Sequence, residues 1–417
     1  MGRTIRSFGA LFAAAFLFLT GNGLLNTLLS TRMAMEEGSV VTNGIVLSCY
    51  FTGLLVGSFF CRHLIERVGH IRAFTVFAAF TATSALLHGL YFSALFWALL
   101  RFLCGATTFG MFMIIESWLN DCTESSFRGR VFAVYMTLCY LGIGVGQQLL
   151  TTGDVMGHEP FIIAGVLFAL CLVPVSGTEA THPRLPEQKT IRFLELFSRT
   201  PLGMLGCMMA GLTNSAFFAM TPAVCTQIGL TVQQLSWVMS ITVFSGLAAQ
   251  WTVGTLSDRF DRTQVLGAIV IAMAVVSGFM YLFEETSFVH LSVKMGLWGA
   301  LMFAVYPVAV ARAHDRFDGR DTVAVSTGLL LAYSIGASVS PILASGLMSL
   351  LKSPFGLFAF WSLVNGSFAL VILFLLKQER IEKVAIKDQV SFMPMKSSSP
   401  VVMALDPRNE IQPYTSC

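Results

Sequence analysis

Few residues in this sequence could do chemistry, and they lie in apolar stretches. Arg101 and Lys294 are isolated cations, Glu116 is the one carboxylate placed inside an apolar span, and Asn22, Asn26, Gln147, Gln148, Asn214 and Gln250 supply amides. A charge in hydrocarbon costs about 2.5–3.5 kcal/mol even on the mildest insertion scale, so each ion needs a partner or a wet cavity. Two cations at similar depth could hold an anionic solute or organise a proton path. The plainer alternative has Lys294 snorkelling towards Glu284 and Glu285, while Arg101 ties helices together through backbone carbonyls. Glu116 stands 15 residues beyond Arg101, about 22 Å along a helix, so the two cannot pair within it. It either lines a cavity as a proton carrier or sits at a lip with Arg128, Arg130 or Arg312; its place near the end of its span favours the lip. His88, near the outer end of another span, is expected to meet solvent. Asn22 and Asn26 are one helical turn apart and share a face. Trp298, Tyr306 and Tyr333 can stack on a ring or donate a hydroxyl. For every amide the competing role is a helix-to-helix hydrogen bond, worth about 0.6 kcal/mol.

The elements that must position these residues follow from composition. Of 417 residues, 55% are hydrophobic and only 12% charged, about half the charged share of a soluble globular chain. Runs of about 20 apolar residues are needed to cross the hydrocarbon. Twelve such runs are predicted, at 7–29, 42–61, 71–92, 94–118, 131–152, 160–178, 201–226, 233–256, 264–284, 288–312, 323–351 and 355–376. The alternation places 22 of the 26 basic residues on one side, against Arg32 and Lys352 on the other, with Arg101 and Lys294 inside spans. By the positive-inside rule both termini are expected in the cytoplasm. The first span lacks a small-residue cleavage site and reads as a retained helix. The nine cysteines show no CxxC pair and read as small packing residues.

The predicted fold class is an all-α polytopic membrane protein, with twelve transmembrane helices as two pseudo-symmetric six-helix bundles. The bundles occupy 1–178 and 201–376, joined by a cytoplasmic linker at 179–200 in which Ile191–Phe197 could form a surface helix. Residues 377–417 turn polar and proline-bearing and are expected to be a disordered cytoplasmic tail. The halves carry a repeated charged turn: Gly254-Thr-Leu-Ser-Asp258-Arg259-Phe-Asp-Arg262, and 192 residues upstream Arg62-His-Leu-Ile-Glu66-Arg67-Val-Gly69-His70-Ile-Arg72. The same shift puts Asn22 on Asn214, and a shift of 193 puts Gly53 on Gly246, Arg101 on Lys294 and Tyr140 on Tyr333. A repeat of this kind suits a transporter built from two related halves. A gate is expected at Glu66, Arg67, Gly69, Arg72, Arg128, Arg130, Gly254, Asp258, Arg259, Arg262 and Arg312, with ion pairs that form when the cytoplasmic side closes; the alternative is a solvated, topology-setting loop. Gly142, Gly144 and Gly146 in the fifth span, and Gly336, Ser338 and Ser340 in the eleventh, should allow close helix approach.

Over residues 7–376 the chain resembles the major facilitator superfamily, whose hallmark turn is Gly-x-x-x-Asp-Arg-x-Gly-Arg. The second copy keeps Gly254, Asp258, Arg259 and Arg262, with Asp261 in place of the usual glycine. The first has Arg62 for the leading glycine and Glu66 for the aspartate, keeps Arg67 and Gly69, and places His70 at the next basic position. Arg101-Phe-Leu-Cys-Gly105 is similar to the family's Arg-x-x-x-Gly element. Leu25-Asn26-Thr27-Leu28, Tyr50-Phe51-Thr52-Gly53, Glu116-Ser117, Gln250-Trp251, Tyr306-Pro307-Val308-Ala309 and Leu331-Ala-Tyr333-Ser334 resemble the YcaD-type bacterial branch. The resemblance implies two six-helix bundles that rock about a central cavity.

These readings converge on a secondary transporter of a small organic solute in a bacterial inner membrane, working by alternating access and coupled to protons. A drug or metabolite exporter, an uptake uniporter, and a transporter-like sensor or scaffold using its tail are the alternatives. The expected solute pathway is Asn22, Asn26, Arg101, Glu116, Gln147, Asn214, Gln250, Lys294, Trp298, Tyr306 and Tyr333, for a solute that Arg101 and Lys294 would favour as an anion. With no Walker loop, metal-ligand cluster or nucleophile–base set, the sequence points to no enzyme, cofactor, metal or nucleic-acid partner, and to a monomer in the bilayer.

Overall fold

The computed structural model describes residues 2–36, 39–121, 123, 127–177, 192–284, 286–317 and 322–377, together with residues 389, 392–393, 395 and 397–399. Helices α1 (Gly2–Met35), α2 (Val40–Val68), α3 (His70–Leu90), α4 (Ala94–Asp121) and α5 (Arg128–Gln148) are followed by a sixth span broken at Cys171 into α6 (Glu159–Leu170) and α7 (Leu172–Ser176). A short helix, α8 (Phe193–Arg199), precedes α9 (Pro201–Gln227), α10 (Val232–Arg259), α11 (Arg262–Leu282), α12 (Phe288–His314), α13 (Thr322–Leu351) and α14 (Gly356–Lys377). Twelve helical spans among the described residues are long and apolar enough to cross a membrane. Every backbone group inside hydrocarbon must be satisfied locally, and helices do this within the segment. The predicted linker up to residue 191, and most of the tail, lie outside the described residues.

The repeat is visible in helix register. α2 and α3 begin at Val40 and His70, and α10 and α11 begin 192 residues later, at Val232 and Arg262. In the first half Gly105 of α4 lies against the backbone carbonyl of Tyr50, and in the second Gly299 of α12 lies against that of Thr242. The Gly105–Gly299 offset is 194, so α4 and α12 match with two more residues of shift. Arg101 therefore corresponds to Met295 and not, as the 193-residue shift suggests, to Lys294. One residue is about 100° of helix rotation, enough to turn a side chain to a different neighbour.

Small residues set the packing inside each half. Gly146 of α5 meets the Thr20 carbonyl of α1, and Gly336 of α13 meets the Met208 carbonyl of α9. Ser340 donates to the carbonyl of Leu212. The seven described cysteines are free thiols, all buried but Cys49.

The halves meet along two seams, α2 with α13 and α5 with α10, and also between α1 and α9. The face where α2 turns into α3 and α10 into α11 is called the basic face here. On the opposite face the seams are tight. Ser30 donates to the Ala219 carbonyl at 2.5 Å, Gln148 Nε2 donates to Ser236 O at 3.0 Å and to Ser240 Oγ at 2.7 Å, and Gly44 lies against Pro341 and Ser345. Towards the basic face α5 and α10 part around a cavity of about 320 Å³, lined by Met136, Thr137, Leu247, Gln250, Gly254 and Asp258 among others.

Candidate transport pathway

Mid-way along α1, Asn22 donates from Nδ2 to the Tyr50 hydroxyl at 2.9 Å, and Asn26 donates to Asn22 Oδ1. Arg101, only 2% exposed, donates from NH2 to Asn26 Oδ1 at 2.7 Å, and its guanidinium lies 4.3 Å from the centre of the Tyr50 ring. A desolvated cation–π contact is worth about 2 kcal/mol, so ring and amide together offset part of the cost of burying Arg101. The chain Arg101–Asn26–Asn22–Tyr50 leaves Arg101 Nε without a partner among the described residues. A cation held by neutral groups alone, with a donor to spare, is suited to receiving an anion or a strong acceptor.

The second half faces this cluster with Asn214 at the repeat position of Asn22. The Asn214 side chain lies close to the Tyr333 hydroxyl, and Asn214 Oδ1 has no partner among the described residues. Tyr306 packs edge-on against Tyr333 with ring centres 5.4 Å apart. Gln250 donates to the Tyr140 hydroxyl at 2.5 Å, joining α10 to α5 where the cavity begins. Gln147 is fully buried in the same seam, with Ser240 donating to its Oε1 at 3.4 Å. Thus Asn22, Asn26 and Arg101 come together at Tyr50 in the first half, Asn214 and Tyr306 come to Tyr333 in the second, and Gln250 and Gln147 lie along one seam.

Lys294 and Trp298 are placed elsewhere. Lys294 is partly exposed, with its ammonium 5.4 Å from the centre of the Phe279 ring on α11. Trp298 is fully buried and stacks on Trp361 of α14, 3.9 Å between ring centres, as part of the packing within the second half. His88, expected to meet solvent, is 1% exposed: its Nδ1 lies 2.6 Å from the Ser84 carbonyl, and Trp97 covers its ring. The α3–α4 turn closes over it, which position along a span does not reveal.

Glu116 is wholly buried, accepts from the Tyr135 hydroxyl at 3.0 Å and also accepts from Ser399. The arginines that the lip reading gave it have other neighbours. Arg130 is exposed over the Phe127 ring, and Arg312 donates from Nε to Thr263 Oγ1 at 2.9 Å. The side chain of Arg128 lies outside the described residues.

The repeated turns are built differently from each other. Gly69 joins α2 to α3 with φ 85° and ψ 162°, a conformation open essentially to glycine. In the second copy Asp261 caps α11 instead, accepting from the Thr263 and Gln264 amides at 2.8 and 3.1 Å. This explains how the second turn dispenses with the glycine. Arg262 is 1% exposed and bridges Asp258 at 3.2 Å and Asp315 at 2.5 Å, tying α10, α11 and the end of α12 within one half. In the first half Arg62 pairs with Glu66 at 2.7 Å along α2, while Arg67 and Arg72 are exposed, as is Arg259 in the second.

Sequence reasoning passed over Asp315, although the 194-residue offset places it opposite Asp121, so an acid ends the fourth helix of each half. It also passed over Tyr135, which follows Glu116 by 19 residues on the next span and has no signal in spacing alone. Seven of the tail residues, expected to be disordered, are placed: Phe392 donates its amide to Asp258 Oδ1 at 2.8 Å, its ring lies against Gly254, and Met393 and Met395 are buried.

The Major Facilitator Superfamily profile matches residues 11–232 and again 203–405, so each half matches the family in its own right. The chain belongs to the major facilitator superfamily. Within it, the chain is 28% identical to the uncharacterised YcaD transporter of Escherichia fergusonii over 342 residues, 81% of this chain and 88% of that one. The YcaD transporter of Shigella flexneri is also 28% identical, over 348 residues. The fold resembles the nucleoside transporter NupG with a TM-score of 0.74 at 12% identity, covering 92% of this chain and 100% of the other. It also resembles a bacterial homologue of the human lysosomal transporter Spinster, in an inward-facing and occupied conformation, with a TM-score of 0.71 at 13% identity, covering 94% and 99%. The protein is thus a YcaD-type, multi-pass membrane transporter of bacterial kind, as the motif resemblance implied.

Proposed function

We propose that this superfamily member is a secondary transporter of a small organic anion, working by alternating access in the bacterial inner membrane with both termini in the cytoplasm. The observation that carries the reading is Arg101: a cation buried about two turns inside α4, paired with neutral partners and with Nε unpartnered among the described residues. The anion would lie between Arg101 with its Asn22–Asn26–Tyr50 support and the Asn214–Tyr333 pair of the other half. Groups from both halves on one solute are what couple binding to rocking, since a ligand shifts an equilibrium only by its differential affinity for the two states. In this reading the tight face is the outside and the cavity opens to the cytoplasm.

Proton coupling is the second part of the proposal. Glu116 supports it: a carboxyl buried beside Tyr135 and reached by Ser399. A proton and an anion taken together would cross with their charges compensated.

The test is thermal unfolding of the detergent-purified protein against anionic, neutral and cationic metabolites, because a ligand bound only to the folded state raises apparent stability. Anions should stabilise the protein, and the effect should vanish in Arg101→Ala while surviving in Lys294→Ala. Stabilisation by neutral or cationic compounds alone would exclude the anion site and favour an exporter using the amide and aromatic lining.

A further inference from the structure

The described part of the C-terminal tail does not lie outside the bundles. We propose that the tail residues Phe392, Met393, Met395 and Ser397 to Ser399 are a tethered occupant of the pathway, reaching it from the basic face and excluding solute until withdrawn; this rests on reading the space between the halves, which the α5–α10 cavity enters, as the pathway. The segment is anchored at both halves. Phe392 donates its amide to Asp258 and packs its ring where a Cβ on Gly254 would come within 2.6 Å of it, so α10 receives the tail at a glycine. Met393 and Met395 are 9% and 3% exposed, flexible apolar side chains of the kind that fill irregular gaps. Ser397 lies close to the Tyr333 hydroxyl of α13, and Ser399 donates to Glu116 of α4.

These tail residues therefore bond Glu116 in the first half and crowd Tyr333 in the second, the groups proposed for proton and solute. While they do so, neither is free to take its cargo, and the α5–α10 seam cannot close on the basic face. The contacts need not be strong individually. Phe392 follows the end of α14 at Lys377 by 15 residues, and a short tether gives an effective concentration on the order of millimolar. The tail is thus a competitor carried by the transporter itself, favouring the state open to its own side.

The experiment measures thiol labelling at Met136→Cys, a position on the cavity wall that is 2% exposed. Labelling by a water-soluble maleimide is followed by peptide mass spectrometry, which separates it from the native cysteines. Removing residues 389–417 should raise the labelling rate about tenfold, the factor for a site nine-tenths occupied. Full-length protein carrying Phe392→Ala, Ser397→Ala and Ser399→Ala together should show a similar rise. Unchanged rates in both would overturn the proposal. As a second readout, Thr255→Cys with Phe392→Cys should form a disulfide under mild oxidation in the full chain. Failure to do so while both thiols react with maleimide would equally overturn it. Neither readout needs a solute, so a failed anion screen leaves this result standing, and unchanged labelling leaves the anion site standing.

Discussion

Arg262 and Asp315 are joined at 2.5 Å with both side chains almost fully buried, at 1% and 3% exposure, and both belong to the same half of the molecule. A pair inside one half does not break when the halves rock. The second charged turn therefore stiffens the α10–α11–α12 corner as a lever, and only its exposed acid, Asp258, reaches towards the seam. Asp315→Ala takes the buried carboxylate from a buried guanidinium, leaving it the half-exposed Asp258, and should lower stability by about 3–5 kcal/mol, the usual cost of removing one member of a buried pair. Thermal unfolding in detergent reads this as a large fall in Tm. Asp315→Ala with Arg262→Met should recover part of the loss; an unaltered Tm in the single variant would show that the pair does not hold the corner.

Gly69 predicts a contrast between the two turns. Its φ of 85° with ψ of 162° is strained for any side chain, so Gly69→Ala should cost about 1–3 kcal/mol. Asp261→Ala removes a helix cap and should cost about 1 kcal/mol. Asp261→Gly should be milder than Asp261→Ala, since glycine is a tolerable cap. Equal Tm values for Gly69→Ala and the parent would mean that the turn relaxes into another geometry.

Glu116 sits where a side-chain amide can replace it without emptying the site, since Tyr135 can donate to a Gln Oε1 as it does to the carboxylate. Glu116→Gln should therefore fold normally and still be stabilised by the anion found in the thermal screen. It should lose solute-dependent proton entry into vesicles loaded with a pH-sensitive dye. Proton movement equal to the parent would remove Glu116 from coupling.

What could be read from the sequence was depth and repetition, because hydrocarbon thickness fixes the length of a span and basic residues mark one face. The 192-residue register of α2 and α3 on α10 and α11 was legible in the charged turns, and so was the close approach at Gly146 and Gly336. Rotation was not. A shift of 193 made Lys294 look like a second Arg101, whereas Gly105 and Gly299 set the offset at 194 and put Met295 there. Trp298 had the right depth for a pathway residue, yet its ring stacks on Trp361. The tail misled for a different reason: its polar, proline-bearing composition reads as solvated, and nothing in one sequence says that Phe392 and Ser399 have partners 134 and 283 residues away.

The decisive measurement is of two distances in one protein by pulsed electron paramagnetic resonance. One pair of spin labels, at Thr151→Cys and Gln233→Cys, reports the tight face; the other, at Ala133→Cys and Thr255→Cys, reports the α5–α10 gap on the basic face. If the solute is carried by alternating access, adding the stabilising anion should populate a second state in which the first distance lengthens as the second shortens. Two distances that stay single and fixed with and without the anion, in tail-deleted as well as full-length protein, would contradict transport by rocking and leave a static, transporter-shaped receptor.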